Sequence, residues 1–233
     1  MISFYESIVT SEKKLLAILI DPDKFYEENV SHFLSRIPVQ TTHIFVGGST
    51  VANNKTEVTV KALKKETNLP VFLFPGNYEQ ITNTADAILF LSLLSGRNPE
   101  YLIGQQVKAV RMLKESTLEV IPTGYILIDG DNESAVARVS QTQPMPQDNI
   151  EAIVNTALAG EYLGAKLIYL EAGSGAKIPV NTSIIEAVKK EITLPLIVGG
   201  GIRTNERKEA AYIAGADMVV MGTVFEEELL ESK

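Results

Sequence analysis

The chain has 233 residues, 45% hydrophobic and 21% charged, which suits one soluble α/β domain with a sizeable core. A net charge of -8 and a pI near 4.9 provide no basic face for nucleic acid and argue against broad electrostatic attachment to anionic membranes, but they leave room for a small anion held by backbone N–H groups. The lack of cysteine excludes disulfides, thiolate catalysis and cysteine-based metal sites, and with no secretory pattern and no apolar run of roughly 18–20 residues to span a bilayer, a soluble cytoplasmic protein is expected.

Short runs rich in Ile, Val and Leu recur along the chain. The first, Leu15–Ile20, ends in Asp21-Pro22-Asp23-Lys24, and the second, His43–Val46, ends in Gly47-Gly48-Ser49. Val71–Phe74 and Ala87–Leu91 follow, with too little chain between them for a full helix. Asn98-Pro99-Glu100 predicts a helix start with proline at the first helical position, and Leu102, Ile103, Val107, Val110 and Leu113 follow at helical spacing. A broken fifth strand, Glu119–Ile121 with Gly124–Ile128, precedes a polar stretch, Asp129–Gln147, whose Pro144 and Pro146 predict an extended surface loop. Asp148 with Glu151 forms a capping-box pattern for a helix ending near Gly164. Leu167–Leu170, Leu196–Val198 and Met218–Met221 complete eight strands, with a helix over Ala210, Ala211, Ile213 and Ala214 that stops at Gly215, and a second capping-box pattern at Thr223 and Glu226. Most strands lack polar alternation, as expected where a parallel sheet is buried on both faces. Eight such units predict one α/β domain over residues 1–233, a (β/α)8 TIM barrel with an irregular third crossover in place of a helix.

Glycine and small polar residues follow nearly every strand, at the end where barrels carry their sites. Gly199-Gly200-Gly201-Ile202-Arg203 and Gly222-Thr223 follow strands seven and eight, the positions from which barrels bind phosphate, and glycines let consecutive N–H groups converge on it. Arg203 either adds charge there or stays solvated. Tyr169-Leu170-Glu171-Ala172-Gly173-Ser174-Gly175 closes the sixth strand and places Glu171 to accept or hold a hydroxyl, with a purely structural carboxylate as the other reading. One carboxylate of Asp21-Pro22-Asp23 is a candidate for Mg2+, and an Asx turn is equally consistent with the same residues. His32 and His43 form no metal set and are expected to be structural. Phe72, Phe74, Leu91, Leu93, Ile121, Tyr125 and Ile126 are candidates to line an apolar channel, or to be ordinary barrel core.

Together, Leu19-Ile20-Asp21-Pro22-Asp23-Lys24, Phe45-Val46-Gly47-Gly48-Ser49, Thr123-Gly124-Tyr125, Tyr169 to Gly175, Gly199-Gly200-Gly201-Ile202 and Gly222-Thr223 resemble the geranylgeranylglyceryl phosphate synthase family. The resemblance runs from Leu15 to Phe225, and the Tyr169 to Gly175 segment is its most specific motif. It implies a prenyltransferase in which the 3-hydroxyl of sn-glycerol 1-phosphate attacks a polyprenyl diphosphate, with Mg2+ assisting the departing pyrophosphate. It implies Mg2+ at Asp21 and Ser49. Tyr169, Leu170, Glu171, Ala172, Gly173, Ser174, Gly175, Gly200, Gly201, Gly222 and Thr223 would hold glycerol phosphate, with Glu171 on the glycerol hydroxyl and Glu171 and Asp21 as the catalytic pair. Leu19 stands where the heptaprenyl branch has lysine, so the chain is more similar to the branch of archaeal and some bacterial members. That implies a geranylgeranyl donor and leaves Lys24 or Lys177 as the assisting cation. A homo-oligomer and at most transient membrane contact are further expectations. A phosphate-binding sugar isomerase and a non-catalytic lipid-phosphate binder are the alternatives from the residues alone.

Overall fold

The computed structural model describes residues 3–222, so Thr223 and the capping pattern it forms with Glu226 lie outside the described residues. Eight parallel strands pair in chain order and close into a barrel. They are β1 (Leu15–Ile20), β2 (His43–Val46), β3 (Val71–Leu73), β4 (Ala87–Leu93), β5 (Glu119–Leu127), β6 (Leu167–Glu171), β7 (Leu196–Gly199) and β8 (Met218–Met221). Pairing of Leu15 with Met218 and of Leu16 with Val219 joins the first strand to the last. Helices α1 (Phe4–Val9), α2 (Val30–Arg36), α3 (Lys55–Glu66), α4 (Gln105–Lys114), α5 (Ala135–Ser140), α6 (Ile150–Tyr162), α7 (Thr182–Glu191) and α8 (Asn205–Ile213) accompany them.

Two apolar layers hold this frame. Leu15, Ala17, Phe45, Phe72, Leu89, Tyr125, Tyr169, Ile197 and Met218 fill the barrel. Their strand neighbours, such as Leu16, Ile44, Val71, Ile88, Leu170 and Val198, pack under the helices. Most strands are therefore buried on both faces, which is why most of their sequences are continuously apolar; the start of β5, where Val120 is exposed, is the exception. The interior is stacked with rings: His43 and Phe45 against Phe72, Phe45 against Phe74, and Phe74 against Tyr125 and Tyr169. His43 is buried at the foot of β2, and burial lowers its pKa from 6.5 to about 4, consistent with a neutral structural ring. His32 sits on the exposed side of α2.

The third crossover holds only a 3-10 turn, Tyr78–Gln80, as expected. Other expectations change. β4 runs on to Leu93, and β5 is one strand through Pro122, whose carbonyl still accepts the Lys166 N–H at 2.8 Å. The expected loop at Asp129–Gln147 contains α5, begun by Ser134 Oγ accepting the Ala137 N–H and ended by Gln141 at φ 54. The N-cap of α6 is Asn149 rather than Asp148. Asn98 Oδ1 accepts the Glu100 N–H, but the helix then opens with a π turn, Glu100–Gly104, before α4. The wider turn rotates the register, so Gln106, Ala109 and Leu113 face inward while Ile103, Val107 and Val110 are exposed.

Candidate active site

Glu171 ends β6 and points into the mouth of the barrel at 5% exposure. Its Oε1 accepts the Gly173 N–H at 2.7 Å. The β7 loop lies so close that a Cβ on Gly200 would come within 2.4 Å of Glu171 Oε1 and 2.7 Å of the Ala172 and Gly173 nitrogens. Gly200 also has φ +82 and Gly201 has φ +68, a region that L side chains rarely adopt. Only glycine lets this loop close over the carboxylate. Burial raises the Glu171 pKa from 4.5 to about 7, against the Gly173 hydrogen bond and the Tyr169 hydroxyl, which favour its charged form. The Tyr169 hydroxyl lies beside Glu171 above Gly199, fully buried, without a well-formed hydrogen bond. Burial and the adjacent carboxylate raise its pKa well above the usual tyrosine value, so Tyr169 stays neutral beside Glu171.

The chamber around this carboxylate brings together Asp21, Ser49, Tyr169, Glu171, Gly173, Ser174, Gly200, Gly201 and Gly222, and Lys24 and Arg203 line it as well. Leu170 and Ala172 are directed the other way, into the layer beneath the helices. Gly175 is exposed and does not line the chamber. The two open carboxylates at β1 separate cleanly. Asp23 accepts the Ala52 N–H and braces the loop after β2, whereas Asp21 lines the chamber with its Oδ1 on the Asp23 N–H and its Oδ2 3.7 Å from Lys24 Nζ. Lys177 is engaged outside, 3.3 Å from Asp131.

Among the described residues no group of three or more acidic, His or Cys side chains could cage a metal. The donor set of Asp21 and the Ser49 hydroxyl nevertheless fits Mg2+, which commonly binds through one or two carboxylates together with substrate phosphates and water.

A second space leaves the same mouth. It is almost wholly apolar, has a cavity volume of about 110 Å³, and shares Gly48, Ser49, Phe74, Tyr125 and Val136 with the polar chamber. From there it passes Leu91 and Leu93 inside the barrel and reaches Ile81, Ile88, Phe90, Tyr101 and Ala109 outside it. Asn77, Tyr78 and Ile81 of the short third crossover line it there. Of the expected channel residues, Phe74, Leu91, Leu93 and Tyr125 line it, Phe72 and Ile121 fill the barrel, and Ile126 faces the helices. Val136 and Val139 of α5 were not expected there. The one signal for them was Ser134 ahead of an Ala/Val run.

A closed (β/α)8 barrel with glycine loops around a buried carboxylate and an apolar groove from the same mouth defines a phosphate-handling barrel that can also seat a long apolar chain. A family profile described as the PcrB family matches residues 8–233, and the chain belongs to that family. It is 62% identical to geranylgeranylglyceryl phosphate synthase of Zunongwangia profunda over 92% of each chain, and 44% identical to that of Thermococcus kodakarensis over 92% of this chain and 85% of the other. The crystal structure of (S)-3-O-geranylgeranylglyceryl phosphate synthase from Thermoplasma acidophilum with sn-glycerol-1-phosphate superposes with a TM-score of 0.89 at 36% identity, covering 97% of this chain and 92% of that one.

Proposed function

We propose that this chain joins sn-glycerol 1-phosphate to geranylgeranyl diphosphate as an ether and releases pyrophosphate, acting in the cytoplasm and meeting membranes only to pass on its lipid product. The observation that carries this reading is the meeting of the polar chamber and the apolar groove at Ser49, Phe74 and Tyr125. A diphosphate at that junction has its prenyl chain in the groove and its C1 facing the Glu171 side. Glycerol phosphate sits opposite, with its phosphate on the N–H groups of the β6, β7 and β8 loops and its 3-hydroxyl toward Glu171.

The chemistry then divides among the residues. Glu171, poised near 7, takes the hydroxyl proton as the oxygen attacks C1. The new C–O bond forms as the bond from C1 to the diphosphate oxygen breaks, and pyrophosphate leaves with that electron pair. The Tyr169 hydroxyl lies beside Glu171 and helps hold that carboxylate on the acceptor substrate. Asp21 and Ser49 would hold Mg2+, which when bound offsets charge on the leaving group. Lys24, on Asp21, is the assisting cation rather than Lys177. Each buried CH2 of the donor contributes about 0.8 kcal/mol, so the groove alone supplies ample affinity. The relatives named above support the donor length. The working state is a homo-oligomer built on the exposed face of α4.

The test is to incubate the pure protein with labelled glycerol 1-phosphate, Mg2+ and a ladder of prenyl diphosphates from geranyl to heptaprenyl. A lipid-extractable product made best from the geranylgeranyl donor and lost with EDTA is expected. Aldose–ketose conversion without any donor, or binding without transfer, would sink the reading.

A further inference from the structure

The 3-10 turn that stands in for the third helix carries one buried polar side chain with no assigned task. Gln80 is 3% exposed. Its Oε1 accepts the Gly76 N–H at 3.2 Å and the Gly48 N–H at 3.4 Å, while its Nε2 donates to the Gly48 carbonyl at 2.8 Å. Only one orientation of the amide satisfies all three bonds, since both N–H groups need the oxygen and the carbonyl needs the nitrogen. The side chain therefore reads both polar groups of Gly48 and ties the loop after β2 to the loop after β3. Those loops already touch backbone to backbone: a Cβ on Gly76 would meet Gly48 O at 2.4 Å and Ser49 Cα at 2.8 Å. The turn is itself fastened to the helix layer, because the Tyr78 N–H donates to Gln105 Oε1 at 2.9 Å.

We propose that Gln80 is the positioning residue for the donor's diphosphate: by clamping Gly48 in both directions it fixes the peptide that presents Ser49 opposite Asp21. This rests on the donor placement given above. Glycerol phosphate is assigned to the loops of β6, β7 and β8, which Gln80 does not touch, so its effect falls on one substrate only. Loss of the clamp leaves Gly48 free to rotate, and a glycine has no side chain to restrain it.

Two variants separate this from a purely structural role. Gln80→Met keeps the bulk and loses every hydrogen bond. Gln80→Glu keeps the two accepted bonds but sets a carboxylate oxygen against the Gly48 carbonyl. Both are expected to raise KM for geranylgeranyl diphosphate by about tenfold or more, while KM for glycerol 1-phosphate stays within about twofold. Calorimetric titration with Mg2+ and pyrophosphate alone, without glycerol phosphate, is expected to show the same roughly tenfold loss. Wild-type pyrophosphate affinity in either folded variant, or equal loss at both substrates, overturns the assignment. If the wild type forms no ether lipid yet binds pyrophosphate in a Gln80-dependent way, the reaction is wrong and the clamp stands. If the wild type binds no pyrophosphate, both fall.

Discussion

Glu171 links stability and chemistry through one proton. It is a carboxyl in a site that burial makes hostile to charge, with a pKa raised from 4.5 to about 7. An acid whose folded pKa lies above its unfolded one contributes stability that is whole below about 4.5 and is lost as pH rises through about 7. Catalysis runs the other way, because a base must first lose its proton. Turnover should therefore climb with pH to a plateau above about 7. Glu171→Gln keeps the shape and removes the titration. It should lower kcat at pH 8 by at least about tenfold, abolish that limb of the pH profile and raise the thermal midpoint at pH 8 while leaving it unchanged near pH 4. A Gln variant with the wild-type pH profile would remove Glu171 as the base.

At the level of elements, the foot of the barrel shows how a short helix is held in place. α1 has only six residues, too few to persist on its own. Glu119, at the first position of β5, accepts the Phe4 N–H at 2.6 Å and the Tyr5 N–H at 3.0 Å, which satisfies the helix's open N-terminus with a charge. Phe4 then sets its ring edge against Phe72 at the bottom of the aromatic stack. Glu119→Ala should cost about 1–3 kcal/mol in urea unfolding at pH 7, and Glu119→Gln less, with substrate affinity at the far mouth unchanged. Such couplings between distant segments could not be seen in the sequence. The eight strands could be, because continuous burial writes itself as continuous apolar runs. The same continuity hid which residues face the barrel, so Tyr169 and Leu170 looked alike until the register separated them. The glycine loops were visible because close backbone approach demands that residue. Gln80 was not, since a buried polar side chain in an irregular turn follows no period. α5 was masked by two prolines downstream of it, and the π turn by the helical spacing of Leu102, Ile103, Val107 and Val110 on either side of Gly104.

For the whole molecule, that π turn determines which face of the barrel is left apolar. Ile103, Val107 and Val110 stand 58%, 63% and 50% exposed, four and three residues apart, and so form one stripe along α4 and the turn before it. Glu100 lies at its start, and Arg111 and Lys114 lie at its end. An isologous pairing places a surface against itself, so two antiparallel copies of this stripe would cover each other's apolar side chains, while Glu100 keeps its own partner, Lys108. Val107, at mid-stripe, then faces its own copy across the two-fold axis. Val107→Glu sets two carboxylates together there and should leave the proposed oligomer monomeric in light scattering, whereas Ile213→Glu, on an exposed apolar residue of α8, should not. Ile103, Val107 and Val110 line neither the chamber nor the groove, so the monomeric variant should retain most of its turnover per chain. An unchanged mass for Val107→Glu would show that this face stays in water, and the apolar stripe would then require another partner.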